Sequence, residues 1–199
     1  MVDTARDLSI IAFASREEWE AWLTAQPDTS KGLWLKLAKK ASGIASVSQQ
    51  EAIDAALCHG WIDGQLDKFD QDYWLVRFTP RKAGSKWSEV NRTRAMALIE
   101  QGRMKPGGLK EVERAKADGR WGAAYAPQSR ASVPEDLQIA LDANEQAKRL
   151  FGELDGANRY AILHRVQDAR KPETRARRIE QYVAMLGRGE TIYPQKFKR

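Results

Sequence analysis

Strand-type sequence patterns occur only in the N-terminal half of this chain. Two aromatic and β-branched runs at 61–65 and 73–80 flank a polar, acidic turn, which predicts a β-hairpin. An apolar run at 32–37, bounded by turn residues, predicts one more strand. From Pro134 onward the apolar residues recur at helical spacing. We therefore expect an α+β fold, with a small β-sheet or hairpin packed with helices in the N-terminal half and a helical C-terminal half.

Capping signals and glycine or proline stops bound the predicted helices. Ser15 and Ser48 each stand three residues before a glutamate, which is the pattern of a capping box. The predicted helices cover 15–26, 48–58, 87–101, 108–118, 134–142, 144–153, 156–169 and 173–187. The stretch at 122–133 has no clear period and is the expected seam. The prediction is an α+β region over 1–125 and a helical region over 126–199, packed as one compact unit.

Side-chain alternation orients the second strand of the predicted hairpin. Trp74, Val76 and Phe78 fall on one face, which is the more apolar one, and Arg77 falls on the other. Because successive side chains of a strand point to opposite faces, the first set is expected to face the core.

Composition places the chain among folded globular proteins. It has 199 residues, of which 42% are hydrophobic and 30% are charged. Its only cysteine, Cys58, excludes an internal disulfide and fits a reducing compartment. The N-terminal residues do not resemble a signal peptide, and no run of 18 apolar residues exists. We therefore expect a cytoplasmic protein with no membrane insertion.

The net charge of +6 is unevenly distributed. Residues 77–105 and residues 155–199 form two basic blocks, each with a net charge of +6. Either block could bind a phosphate or a carboxylate group. The alternative is that these charges form solvated helix faces without a partner.

Motifs of the common enzyme classes are missing from the sequence. It has two histidines and contains no HExxH, CxxC or GxSxG pattern, so we predict no metal site, no cofactor and no catalytic residue. Cys58 is expected to be a small buried apolar residue. The segment 102–108 (GRMKPGG) is interpreted as a helix stop followed by a helix start, although N–H groups at such a start can bind an anion. Whether the protein is an enzyme stays open, with a non-enzymatic role favoured.

The stretch 58–105 is the predicted ligand site. Alternation places Trp61 and Asp63 on one strand face, with Arg77 expected opposite Asp63 on the hairpin partner. A helix starting by residue 87 would align Trp87, Asn91 and Arg94. Such groups suit an anionic or amide-bearing ligand. The alternative is that both tryptophans belong to the core and that Asp63 and Arg77 form a structural ion pair. The predicted ligand-binding residues are Trp61, Asp63, Arg77, Arg81, Trp87 and Asn91.

Several of these segments carry a family resemblance. They are 60–64 (GWIDG), 77–81 (RFTPR), 85–91 (SKWSEVN), 102–108 (GRMKPGG) and 170–179 (RKPETRARRI). Together they resemble the YdeI/OmpD-associated proteins, also called bacteriocin-protection proteins, over 10–187. The resemblance implies a bacterial, compact α+β protein with a helical C-terminal part. It also implies a stress or defence role, through protection against bacteriocins or association with an outer-membrane porin, and it brings no catalytic residues.

Three functional hypotheses follow from the sequence. The first is a binding protein that takes a small anionic ligand or a peptide at the site near 58–105. The second is a protein–protein interaction module in which Arg175, Arg177 and Arg178 of the last helix meet an acidic partner. The third is nucleic-acid binding through the two basic blocks, which the absence of any known nucleic-acid module disfavours.

Overall fold

The chain forms two compact units in a computed structural model, Met1–Ala124 and Tyr125–Arg199. The structure describes residues 8–27, 29–127, 130–169 and 171–195. The division falls within the predicted seam. The expectation that the two regions pack as one compact body stays a prediction.

The N-terminal unit contains all the strands found in the described residues, together with four α-helices. Its elements are β1 (Ile10–Ala12), α1 (Arg16–Thr24), β2 (Leu33–Ala38), a 3-10 turn (Lys40–Ser42), α2 (Gln49–Cys58), β3 (Trp61–Lys68), β4 (Tyr73–Pro80), α3 (Glu89–Glu100) and α4 (Pro106–Ala117). The C-terminal unit contains α5 (Glu135–Asp142), α6 (Glu145–Glu153), α7 (Gly156–Gln167) and α8 (Pro172–Gly187). The predicted α+β class and helical C-terminal half are thus confirmed.

The strands form one mixed sheet in the order β1-β2-β4-β3. β1 runs parallel to β2, and the two other pairs are antiparallel. The predicted hairpin is β3–β4, with Trp61 opposite Pro80 and Asp63 opposite Phe78. Strand β1 was not predicted from the sequence because it has only three residues and its only neighbour in the sheet is β2.

The sheet packs one face against α1 and α2. Trp19 of α1 is fully buried, and so are Leu35 of β2 and Phe78 of β4. Val76 belongs to the same core cluster and Trp74 packs against it, which confirms the predicted core face of β4. A second cluster joins α2, α3 and α4 around Leu57, Cys58, Trp87, Ala95, Leu98, Val112 and Ala115.

The C-terminal unit has its own apolar core. Leu141 of α5, Ile162 of α7 and Leu186 of α8 are almost fully buried in it. Arg175 on α8 binds Asp136 at the start of α5 through two hydrogen bonds of 2.6 and 2.8 Å. This contact keeps the pKa of Asp136 below its usual value, mainly through the hydrogen bonds from Arg175. Apolar contacts therefore join the helices of this unit, and a charged contact also joins α5 and α8.

Candidate functional site

Three sequence-distant segments of the N-terminal unit meet where α2 ends. The backbone N–H of Arg81, just after β4, donates to the Gly60 carbonyl at 2.9 Å. The N–H of Lys105, just before α4, donates to the Cys58 carbonyl at 3.0 Å. These two bonds bring the end of the hairpin and the start of α4 to the turn that follows α2.

Glycines permit this close approach. Gly60 has a φ of +80°, and a Cβ added there would lie 2.7 Å from the Gly107 carbonyl oxygen. A Cβ added to Gly108 would lie 2.3 Å from the Cys58 carbonyl oxygen. Backbone contacts this short exclude a side chain, so the first turn of α4 can lie against the last turn of α2 only because these positions are glycines.

A cavity of about 530 Å³ opens at this junction, and we call it the α4 cavity. Its size lies within the usual range for small-molecule sites. Trp61 and Pro80 line it from the hairpin, and Lys105, Gly107 and Lys110 line it from α4 and the residue before it. By position, the first-turn N–H groups of α4 have no acceptor within the helix. The positive end of the helix dipole therefore adds to the cationic side chains around this cavity.

Basic side chains outnumber acidic ones in the lining of the α4 cavity. Arg81, Lys105, Lys110 and Arg114 contribute positive charge, and Glu111 is the one carboxylate among the described residues that line it. Arg114 Nη1 lies 3.1 Å from Glu111 Oε1, so this pair is largely neutral. Basic side chains therefore outnumber acidic ones in this lining, and its exposed cations Lys105 and Lys110 could bind an oxyanion.

His59 and Cys58 stand at the inner end of this junction. His59 lines the cavity, and burial lowers the pKa of its imidazole, with a smaller contribution from the nearby Lys105 charge. His59 is therefore neutral at pH 7 and offers one N–H donor and one acceptor. Burial raises the pKa of the Cys58 thiol, which is 3% exposed. Cys58 is thus a protonated packing residue, as predicted.

Family comparisons separate the two parts of the chain. Residues 11–111, which contain most of the α4 cavity, match the family described as Domain of unknown function (DUF8412). The chain belongs to this family. Residues 130–189 match a second family, described as Bacteriocin-protection, YdeI or OmpD-Associated. No curated protein and no solved structure shows a significant match to the chain.

The YdeI/OmpD resemblance is confirmed for the C-terminal part of the chain. Its predicted extent over 10–187 was too wide for this family, since the segments between 60 and 108 lie in the DUF8412 match. Arg170, the first residue of the C-terminal segment that carried the resemblance, lies outside the described residues.

The six predicted ligand-binding residues all belong to the DUF8412 region, but they lie in different environments. Trp61 and Arg81 line the α4 cavity. Trp87 is 2% exposed and belongs to the core, and the Arg81 guanidinium lies 3.6 Å from the centre of its ring. Asn91 sits in the first turn of α3, where its backbone N–H donates to Ser88 Oγ at 3.1 Å. The structure therefore brings two of the six residues to this cavity.

The predicted pairing of Asp63 with Arg77 is wrong. Asp63 is opposite Phe78 and thus lies on the core-facing side of the sheet, whereas Arg77 lies on the other side, opposite Trp34. Arg77 Nη1 instead donates to Gln65 Oε1 at 3.3 Å. A register irregularity between Asp63 and Leu66, which alternation along the sequence does not reveal, changes which side chains of the two strands share a face.

The predicted stripe of Trp87, Asn91 and Arg94 is also wrong. Helix α3 begins at Glu89 and is capped by Ser88, so Trp87 precedes the helix and lies in the core. Arg94 contacts α2 instead, with Nη1 3.1 Å from Asp54 Oδ1. An unrecognised serine cap moved the helix start by two residues and changed which side chains share a face.

The three predicted partner-binding arginines on α8 differ in their surroundings. Arg175 binds Asp136, and Arg178 donates to the Arg165 carbonyl within the same unit. Arg177 is exposed. A docking face for an acidic partner stays a prediction, with Arg177 as its most accessible charge.

Neither a metal cluster nor a membrane span is found in the described parts of the chain. Within those ranges, no three His, Cys, Asp or Glu side chains come close enough to hold a metal ion. Each helix described here is too short or too polar to cross a lipid bilayer.

Sequence reasoning missed Lys105, Lys110 and Glu111 as site residues. The signal that could have found them was already present, because Pro106-Gly107-Gly108 was interpreted as a helix start able to bind an anion. Its proximity to Gly60 and Arg81 depends on backbone contacts over more than 20 residues of separation. No local pattern reports such contacts.

Proposed function

We propose that the N-terminal unit is a binding protein for a small oxyanion, such as a phosphate or carboxylate group, held in the α4 cavity. The observation that carries this proposal is the convergence of Arg81, Lys105 and Lys110 with the first turn of α4 around a cavity whose lining carboxylate is already paired with Arg114. Trp61 supplies an apolar wall next to these charges. This arrangement supports the small-anion hypothesis more than the nucleic-acid or docking hypotheses.

Each part of the cavity has a distinct role in the proposed complex. Lys105 and Lys110 are exposed, so they can reach the ligand without a change of the core. The glycine N–H groups of the first turn of α4 would donate to ligand oxygens along the helix axis. Arg81 is 6% exposed and is held by Trp87 and by the Lys86 carbonyl, so it would supply a fixed positive charge at the cavity wall.

Replacement of Lys105 and Lys110 by glutamine is expected to weaken oxyanion binding by about tenfold to a hundredfold, since each charged hydrogen bond contributes up to about 3 kcal/mol. Isothermal titration calorimetry with inorganic pyrophosphate and with citrate measures this change. The double variant Lys40→Gln with Lys68→Gln is the matched control, because it removes two exposed lysines outside the cavity.

The two variants separate local binding from general charge attraction. The proposal requires the control variant to bind like the unmodified protein. An equal loss in both variants would mean that net charge alone attracts the anion, and unchanged binding in the Lys105/Lys110 variant would place the site elsewhere. The stress or defence role implied by the resemblance stays a prediction.

A further inference from the structure

A second cavity, of about 710 Å³, lies beside β4 and shares Pro80 and Arg81 with the α4 cavity. We call it the hairpin cleft. Lys31, Arg77, Arg81 and Lys82 line it, and no aspartate or glutamate occurs among the described residues of its lining. It therefore differs from the α4 cavity, where Glu111 neutralises part of the charge. A group of cations without a local carboxylate favours the binding of an anion of high charge.

The irregularity in β3 shapes one wall of the hairpin cleft. The register shifts between Asp63 and Leu66, opposite Arg77, and Gly64 and Gln65 line the cleft at this point. A Cβ at Gly64 would meet only the Arg77 carbonyl oxygen, at 3.7 Å, so no close backbone contact requires a glycine there. Gly64 adds no side chain to this wall, and the Gln65 side chain contacts the Arg77 guanidinium.

Arg77 provides the main evidence for a ligand in this cleft. Its Nη1 donates to Gln65 Oε1 at 3.3 Å, which is a long hydrogen bond. Its Nε is buried and has no hydrogen-bond partner among the residues described. A buried guanidinium N–H without an acceptor is unfavourable, and an oxygen of a ligand in the cleft would satisfy it.

We propose that the hairpin cleft binds the phosphate group of an organic phosphate monoester. A phosphate monoester carries a charge of about −1.5 to −2 at pH 7 and three acceptor oxygens, which suits a lining with the four cations Lys31, Arg77, Arg81 and Lys82. A single carboxylate carries a smaller charge and one acceptor oxygen fewer, so it would compensate less of this positive charge. The cleft is large enough for the organic part as well. The cleft shares Pro80 and Arg81 with the α4 cavity, but this proposal rests on Lys31, Arg77 and Lys82, which line the hairpin cleft and not the α4 cavity.

The probe for this site is 4-fluorophenyl phosphate, observed by ¹⁹F NMR with the full chain. We expect saturable line broadening, and we expect the neutral analogue 4-fluorobenzyl alcohol to bind at least about tenfold more weakly, because it lacks the charged acceptor. The variant Arg77→Gln is expected to weaken phosphate binding by about tenfold or more for the same reason. The described side-chain hydrogen bond of Arg77 is the long one to Gln65, so the Arg77→Gln variant should fold normally. Comparing its thermal midpoint with that of the unmodified protein checks this.

Matched variants decide where the probe binds. Lys68→Gln removes one charge from the other end of the same hairpin and should leave binding unchanged. Binding that survives Arg77→Gln, or an equal affinity for the neutral analogue, would overturn the proposal. Loss of binding only in the Lys105/Lys110 variant would also overturn it, and would assign the probe to the α4 cavity. If the Lys105/Lys110 variant binds pyrophosphate as tightly as the unmodified protein does, only the proposal for the α4 cavity is contradicted. The two proposals can therefore be tested independently.

Discussion

The variant Trp19→Ala is expected to lower the free energy of unfolding of the N-terminal unit by about 3–5 kcal/mol, the usual cost of removing a fully buried tryptophan. Trp19 is 0% exposed and its indole Nε1 donates to the Ala52 carbonyl at 3.1 Å, which ties α1 to α2. Its ring also packs against Trp22 at 5.3 Å and against Phe78 at 5.3 Å between ring centres. Truncation removes these contacts and leaves the Ala52 carbonyl without its donor.

Tryptophan fluorescence during urea denaturation measures this loss directly. All seven tryptophans lie within Met1–Ala124, so the signal reports on the N-terminal unit alone. The control is Leu66→Ala on β3, whose side chain is 60% exposed and should change stability by less than about 0.5 kcal/mol. A loss below about 1 kcal/mol for Trp19→Ala would contradict the assignment of Trp19 to the centre of this core.

The variant Gly108→Ala is expected to destabilise the same unit by about 1–3 kcal/mol, as overpacking usually does. Helix propensity alone predicts the opposite sign, since alanine is about 1 kcal/mol more favourable than glycine inside a helix. The new Cβ would lie 2.3 Å from the Cys58 carbonyl oxygen and 2.7 Å from the Leu57 carbonyl oxygen. Both obstacles are backbone atoms, so relief requires the start of α4 to move away from α2.

The same urea experiment tests this variant, because it reports on the unit that contains α4. Gly84→Ala is the matched control, since a Cβ added there meets no atom within 4 Å. We also expect Gly108→Ala to weaken oxyanion binding in the α4 cavity, because it displaces the helix start that forms one wall. A Gly108→Ala protein as stable as the parent would show that α2 and α4 do not approach as closely as described.

Much of the fold was predictable because local signals report it. The serine caps at Ser15 and Ser48 mark the starts of α1 and α2, and alternation along β4 identifies Val76 and Phe78 as core residues. Helical spacing predicted the C-terminal helices to within two residues at each end. These signals act between residues that are close in sequence, so a single sequence contains them.

The candidate site was only partly predictable because it depends on distant contacts. Trp61 and Arg81 were identified from an unusual local density of aromatic and basic residues. Lys105 and Lys110 were not, since their place beside Arg81 follows from the packing of Gly107 and Gly108 against the end of α2. The face occupied by Arg77 was predictable from β4, but its partner was not, because the irregularity in β3 changes the register.

Heteronuclear NMR of the ¹⁵N-labelled chain, titrated with inorganic pyrophosphate, would locate a bound oxyanion residue by residue. We expect saturable shifts of the Gly107 and Lys110 amides and of the Trp61 indole N–H, since these three residues line the α4 cavity. We also expect these shifts to disappear in the Lys105→Gln, Lys110→Gln variant and to persist in the Lys40→Gln, Lys68→Gln control. Saturable shifts that leave these three groups unaffected, or no saturation at any of them, would contradict an oxyanion site in the α4 cavity.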